Sequence, residues 1–508
     1  MLFNSPVYFA MFLPVVAAIY FSLVRFRFSL AARAWLVLAS LLFYGYWNAS
    51  YTLLILTSIL VNFGIGGALA AGRGVKHKPH SLGLGARKAV LFAGVSFNLL
   101  LLGYYKYCDF FIHNLNWVSG SHIKELSLVL PLAISFFTFQ QVAYLVDSYQ
   151  KKTDERDFLG YCLFVSFFPQ LIAGPIVHHK EMMPQFGRLR NLVPDWNNIA
   201  HGVFIFSVGL FKKVVIADTF AIWANAGFHP GAAPGFADAW AASFSYTFQL
   251  YYDFSGYTDM AIGSALLFNI RLPINFNSPY KAADIQDFWR RWHMTLSRWM
   301  KDYLYIPLGG NRMGAARTYL NLFLTFLIVG LWHGAGWTFV AWGCLHGLAM
   351  LVHRAWKQAG MGMPRLLGWF ITFAFVNFSW VLFRAESFHD ASQVYAGMLG
   401  FNGLPSQFPL APLLKLSEIG PLTSLIADLQ SGNGAVTTLS WIYILLFSSI
   451  AFLLPNSVQM ARFIENDKHR FFFKPSLGFA FATALLIFSS LLSFIGGASP
   501  SEFLYFNF

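Results

Sequence analysis

Apolar runs long enough to cross a bilayer recur along almost the whole chain, and no other feature restricts its possible folds as much. A helix spanning the hydrocarbon core needs about 20 predominantly apolar residues. Stretches of this kind lie at 6–24, 34–49, 50–70, 89–107, 127–147, 203–226, 241–270, 317–333, 336–353, 366–384, 439–457 and 476–496. Only 11% of the 508 residues are charged, against about 25% in a soluble globular domain. A large core does not account for that shortfall, so the bilayer is the expected solvent. The expected fold is an all-α, polytopic membrane protein with about 11–13 transmembrane helices, because a helix satisfies its backbone polar groups within its own segment. A further apolar stretch, 157–177, is interrupted by Pro169, Gly174 and Pro175 and reads as re-entrant. The opening MLFNSPVYFAMFLPVVAAIYFSLV has neither a basic leader nor a small-residue cleavage site, and reads as a retained first span.

The net charge of +13 does not point to nucleic acid, because the basic residues fall in short bursts between apolar stretches. Arg25, Arg27 and Arg33 follow the first span; Arg73, Lys76, Lys78, Arg87 and Lys88 follow the third. Lys151, Lys152 and Arg156, then Lys180, Arg188 and Arg190, flank the re-entrant stretch; Arg354, Lys357 and Arg365, then Arg462, Lys468, Arg470 and Lys474, follow later spans. The intervening loops are poor in Lys and Arg. This alternation puts the basic loops in the cytoplasm, against anionic lipid headgroups, with both termini outside. Residues 385–438, punctuated by Pro405, Pro409, Pro412 and Pro421, form the expected extracytoplasmic loop of a single membrane domain covering 1–508. Cys108, Cys162 and Cys344 suggest neither a disulfide framework nor a metal site.

Chemistry is most concentrated at 284–353. The run DIQDFWRRWHMTLSRWMKDYLYIPLGGNR has Asp284 and Asp287 at a helix start, then Trp289, Trp292, Leu296, Trp299 and Tyr303 at three- and four-residue spacing. Arg290, Arg291, Arg298 and Lys301 surround this stripe. The pattern is that of a helix lying in the membrane interface. His293 sits on its flank, where a lipid-anchored role is the simpler reading. His333 follows an apolar run and precedes Gly334, Ala335 and Gly336. Two readings stand open for it: a base beside backbone that a substrate approaches closely, or a hydrogen bond between helices. His346 in WGCLHG is a weaker candidate.

A second polar set, Asp253, Ser255, Tyr257, Thr258 and Asp259, interrupts YYDFSGYTDMAIG, where it either orients a base or caps a broken helix. Gln140, Gln141, Tyr144 and Asp147 read as structural hydrogen-bonding groups. The adjacent His178 and His179 point to different faces, which argues against a shared metal. No HExxH, His-x-His or carboxylate cluster suggests a metal, and no GxSxG suggests a serine nucleophile.

Taken together, DFWRRWHMTLSRWMKDYLYIPLGGNR and GLWHGAGWTFVAWGCLHG closely resemble the membrane-bound O-acyltransferase family. Within it they resemble the membrane subunits that acetylate alginate and other exopolysaccharides. Further matches are LFNSPVYFAMFLP, PLAISFFTFQQVAYLVDSY, FPQLIAGPIVHHKEMMPQF, GLFKKVVIAD, YYDFSGYTDMAIG, LPINFNSPY and FLYFNF, so the resemblance spans essentially the whole chain. It implies helices around a central tunnel, with His333 as catalytic base and His293 as the second motif histidine, binding or orienting the acyl donor. It further implies that Asp253, Tyr257 and Trp332 line the site. Arg290, Arg291, Arg298 and Lys301 either attract a phosphorylated donor such as acetyl-CoA or only anchor their helix. No bound cofactor is expected. The resemblance implies a bacterial inner-membrane enzyme that passes an acetyl group to an exopolysaccharide such as alginate or cellulose. Its expected partner is a periplasmic SGNH-like protein. The competing expectations are transfer of another acyl group, such as D-alanine, and an acyl-group transporter without chemistry.

Overall fold

The computed structural model describes residues 1–70, 83–153, 155–172, 174–403, 438–461, 463, 473–495 and 501–507. A helix lies over each of the twelve apolar stretches. The first three are α1 (Leu13–Arg25, entered through a π-helical turn at Val7–Phe12), α2 (Ser29–Gly45) and α3 (Ala49–Ala70). Next comes α4 (Leu84–Ser119), whose 36 residues extend about 54 Å at 1.5 Å per residue, well beyond the bilayer core. It stops at Gly120, whose φ of +67° is the left-handed geometry of a glycine helix stop. Asn62 of α3 and Asn98 of α4 exchange side-chain amide hydrogen bonds of 3.1 and 2.7 Å. Such pairs hold helices together where apolar burial alone gives no preference over lipid.

Next, α5 (Ile134–Tyr149) is buried along almost its whole length. The stretch expected to be re-entrant is indeed broken: α6 (Phe158–Ser166) ends at Phe167, and the short α7 (Phe168–Leu171) follows at an angle inside the protein. After α8 (His179–Phe186), α9 (Trp196–Phe211) passes through a π-helical turn at Lys212–Ala217 into α10 (Asp218–Gly227). The axis of the molecule is α11 (Phe236–Leu266), in which every residue from Ser245 to Leu266 is buried. Glycines bring α9 against it: a Cβ on Gly209 would lie 2.5 Å from the Gly256 carbonyl oxygen, and one on Gly263 2.6 Å from that of Gly202. The polar residues of α11 are therefore enclosed by protein rather than lipid.

The second half comprises α12 (Ile285–Arg291), α13 (Met294–Met300), α14 (Ala315–His333), α15 (Trp337–Gln358), α16 (Arg365–Arg384), α17 (Phe388–Met398), α18 (Thr438–Leu453), α19 (Ser457–Met460) and α20 (Leu477–Ile495). A short 3-10 turn, Leu504–Asn507, ends the described residues. Seven helical segments among these residues are long and apolar enough to cross a membrane, and Ser29–Gly45 and Ser440–Leu453 are apolar but shorter. The protein is an all-α, multi-pass membrane protein. Most of the expected loop 385–438, residues 404–437, lies outside the described residues; its first part forms α17.

The single interfacial helix expected over 284–303 gives way to two short helices joined by an elbow. Trp289, Trp292, Leu296 and Trp299 are all buried, packed among Phe139, Phe276, Phe326 and Trp380. The aromatic stripe is core, not lipid-facing surface.

Candidate active site

The elbow is built around His293. Asp284 caps α12 by accepting the Asp287 amide at 2.7 Å. The helix ends at Arg291, and His293 takes φ +44° and ψ +52°, left-handed values that cost a residue with a Cβ about 1–2 kcal/mol. Asn275 offsets that strain. Its Oδ1 accepts from the Thr295 amide at 3.2 Å and the Thr295 hydroxyl at 2.9 Å, and lies 3.1 Å from His293 Nδ1. An amide N–H can only donate, so this atom is the oxygen, and Nδ1 of His293 carries the proton toward it. Nε2 of His293 is left with its lone pair, fully buried and without a hydrogen-bond partner among the described residues.

His333 is the last residue of α14. The carbonyls that this helix leaves open are covered from α4: Lys106 Nζ donates to those of Trp332 and His333, and Tyr107 Oη to that of Leu331 at 2.9 Å. Around the imidazole stand Trp332, Trp342, Phe383 and Tyr505, with ring centroids 4.9, 5.2, 5.1 and 5.6 Å away. Nδ1 of His333 is buried without a hydrogen-bond partner among the described residues. Gly334 and Gly330 serve packing: a Cβ on Gly334 would strike the Phe339 ring, and one on Gly330 would lie 2.4 Å from the Phe339 carbonyl oxygen.

Two rings lie between the histidines. Trp332 and Tyr505 each have a centroid 6.5 Å from that of His293 while also contacting His333. A cavity of about 30 Å³ opens beside His333, lined among others by Lys106, Ser135, Phe136, Trp332 and Tyr505. That volume admits one or two waters.

Tyr505 arrives on the 501–507 segment, which is anchored deep in the protein. The Leu504 amide donates to Asp253 at 3.0 Å, Lys213 donates to the Glu502 carbonyl at 3.0 Å, and Asn4 donates to that of Ser501 at 3.0 Å. Phe503 is fully buried and lies 4.5 Å from Tyr257. Asp253 and Tyr257 therefore stand behind this segment and away from the cavity. Asp253 is paired with Lys213 at 2.6 Å, and Tyr257 donates to Asn4 at 3.2 Å. Reading the residues one by one overlooked Tyr505; the concentration of aromatics in FLYFNF was the available signal.

The three arginines do not converge. Arg298 forks onto Glu181 at 2.7 and 2.9 Å, Arg291 pairs with Asp287 at 2.9 Å, and Arg290 is exposed, as is Lys301. His346 is held at both nitrogens. Nδ1 accepts from Trp289 Nε1 at 3.2 Å, which leaves Nε2 to donate to Ser379 at 3.0 Å. From Trp332 an aromatic column runs through Phe139, Trp299 and Tyr303 to His178, at centroid steps of 4.9, 4.0, 5.3 and 5.6 Å. Tyr303 donates to Asp147 at 3.0 Å, so His178 Nδ1 donates to the Tyr303 oxygen at 3.1 Å. His179 turns the other way, onto Thr153 and Glu155. Among the described residues no three His, Cys, Asp or Glu side chains gather as metal ligands.

The geometry offers two buried imidazoles, each with a nitrogen lacking a hydrogen-bond partner among the described residues, in an aromatic enclosure, one of them beside a cavity. Such a site suits removal of a proton from a weak nucleophile. Comparison with known proteins places the chain among acyltransferases. The sequence profile of the membrane-bound O-acyltransferase family matches residues 155–388. A peptidoglycan O-acetyltransferase of Helicobacter pylori is 46% identical over 540 aligned positions, covering 100% of this chain and 98% of the relative. A probable alginate O-acetylase of Pseudomonas aeruginosa is 40% identical over 79% of this chain and 75% of its own length. A teichoic acid D-alanyltransferase of Bacillus subtilis is 26% identical over 53% of this chain and 72% of its own length.

Proposed function

The chain belongs to the membrane-bound O-acyltransferase family, and on that premise we propose that it passes an acetyl group from a cytoplasmic thioester, acetyl-CoA, across the inner membrane for O-acetylation of peptidoglycan. The acceptor reading rests on the peptidoglycan O-acetyltransferase that matches at both full lengths. The alginate O-acetylase relatives leave about a fifth of this chain unmatched, which weighs against the exopolysaccharide expected from the motifs alone.

The observation that carries the mechanism is the buried imidazole of His333, a residue lining a cavity, whose Nδ1 has no hydrogen-bond partner among the described residues. A hydroxyl is a poor nucleophile at neutral pH; a neutral imidazole beside it takes its proton as the oxygen attacks the acyl carbon. The aromatic enclosure keeps water from competing for the acyl group. His293, with its Nε2 lone pair turned inward, orients the donor across Trp332 and Tyr505. Of the basic cluster, Arg290 and Lys301 have no carboxylate within ion-pair distance among the described residues, which supports their docking the phosphates of the donor. Arg317 and His333 are 16 positions apart on α14, about 24 Å at 1.5 Å per residue. The basic end of that helix is the cytoplasmic one by the charge rule, so chemistry sits toward the far side. A periplasmic SGNH-like partner completes delivery to the polymer.

The test is a deletion strain complemented with wild type or His333→Ala at equal membrane abundance. Acetate released by mild base from purified peptidoglycan should be restored only by wild type. Acetate restored in a secreted polysaccharide instead would replace the acceptor assignment.

A further inference from the structure

Among the described residues, Lys106 is the one cation that hydrogen-bonds to the end of α14 beside His333. Its ammonium donates to the carbonyls of Trp332 and His333 and lies 5.6 Å from the Trp332 ring centroid and 5.9 Å from that of Tyr107. No carboxylate lies within ion-pair distance of it among the described residues. An ammonium has three N–H donors, and Lys106 lines the same cavity of about 30 Å³ as the His333 imidazole and Tyr505. Arg87, at the other end of α4, is 19 positions away, about 28 Å along the helix, so Lys106 does not serve as a headgroup anchor on that side.

A cation capping a helix C-terminus is favourable, but the gain is small at best. Holding an ammonium against the half-buried, aromatic end of a helix with no carboxylate to pair with among the described residues is the larger cost. Capping alone therefore does not explain a lysine here. A negative oxygen formed in the cavity would.

Building on the acyl-transfer reading above, we propose that Lys106 is a catalytic residue whose remaining N–H holds the oxyanion of the tetrahedral intermediate. The acceptor oxygen bonds to the acyl carbon while its proton passes to the His333 imidazole. The carbonyl π pair moves onto the acyl oxygen, and the Lys106 ammonium receives that charge. On collapse the C–S bond breaks and the departing thiolate takes the proton back from His333. Fixing the ammonium on two backbone carbonyls means that no reorganisation is needed when the charge appears.

The experiment measures acetyl transfer in membranes of the deletion strain, which retain the periplasmic partner, with radiolabelled acetyl-CoA as donor probe and chitooligosaccharide as acceptor probe, after complementation with wild type, Lys106→Met, Lys106→Gln or His333→Ala. Lys106→Met should lower kcat by about 100- to 1000-fold, the loss typical of removing one oxyanion donor, with donor KM unchanged. Lys106→Gln retains an N–H for the carbonyls but no charge; it should still lose at least about tenfold in kcat. A purely capping lysine would leave the folded Gln variant at wild-type kcat, and that result overturns the proposal. So does a loss that appears in KM alone. If wild type transfers label, His333→Ala does not, and both Lys106 variants do, only the Lys106 assignment fails. If His333→Ala transfers label as wild type does, the site reading itself fails.

Discussion

Asn275 determines which nitrogen of His293 carries the proton. Its Oδ1 is held by two donors of Thr295 and faces His293 Nδ1 at 3.1 Å, so Nε2 is the nitrogen left with a lone pair. Asn275→Ala would leave buried donors unsatisfied at about 1–3 kcal/mol each and release the left-handed elbow. The expected outcome is a lower Tm together with at least a tenfold loss of acetyl transfer. A variant with wild-type activity would separate the His293 tautomer from function.

Asp253 acts through the backbone of Leu504. Asp253→Leu removes the acceptor for the Leu504 amide and leaves Lys213 to Asp218 alone, 2.8 Å away. Breaking a buried ion pair by removing one partner costs about 3–5 kcal/mol; the retained Asp218 contact should keep the loss toward or below the lower end. Thermal unfolding in detergent should register this. The double variant Asp253→Leu with Lys213→Met should recover part of the loss, because it removes the buried cation that the first substitution left short of a partner. Failure to recover any would place the effect in the 501–507 anchor instead.

His178 supplies a pH dependence whose sign follows from its surroundings. Burial, reinforced by Arg298 and Lys180, pushes it down to about 4 from the usual 6.5. Between those values the unfolded chain binds more protons than the folded one, so stability rises with pH across that window and levels off above it. Thermal scans from pH 4 to pH 7 should show this slope in wild type and a shallower one in His178→Gln. An equal slope in both would remove His178 from the account.

Much of the fold was legible because its signals are local. Twelve apolar stretches are a matter of run length, and helices formed over all of them. The elbow at His293 was not legible, because Trp289, Trp292 and Trp299 at helical spacing with flanking arginines look the same whether lipid or protein covers them. What covers them is Phe139, Phe326 and Trp380, residues 37 to 160 positions away. Asp253 drew attention as a carboxylate in an apolar helix, yet its partner Lys213 lies on a different element. Tyr505 was invisible for the same reason: its position beside both histidines depends on anchors at Asn4, Lys213 and Asp253. The glycine pairs of α9 and α11 likewise acquire meaning only once the helices cross.

The central claim is that His333 does the chemistry while His346, thirteen positions later and equally buried, is held at both nitrogens by structure. The decisive measurement is transfer of label from radiolabelled acetyl-CoA to chitooligosaccharide by wild type, His333→Ala and His346→Ala in membranes of the deletion strain, which retain the partner, matched for folded protein. The account predicts loss of transfer by at least about 100-fold in His333→Ala. It predicts that His346→Ala has a lowered Tm but a kcat within about tenfold of wild type. Full activity in a folded His333→Ala protein would contradict it.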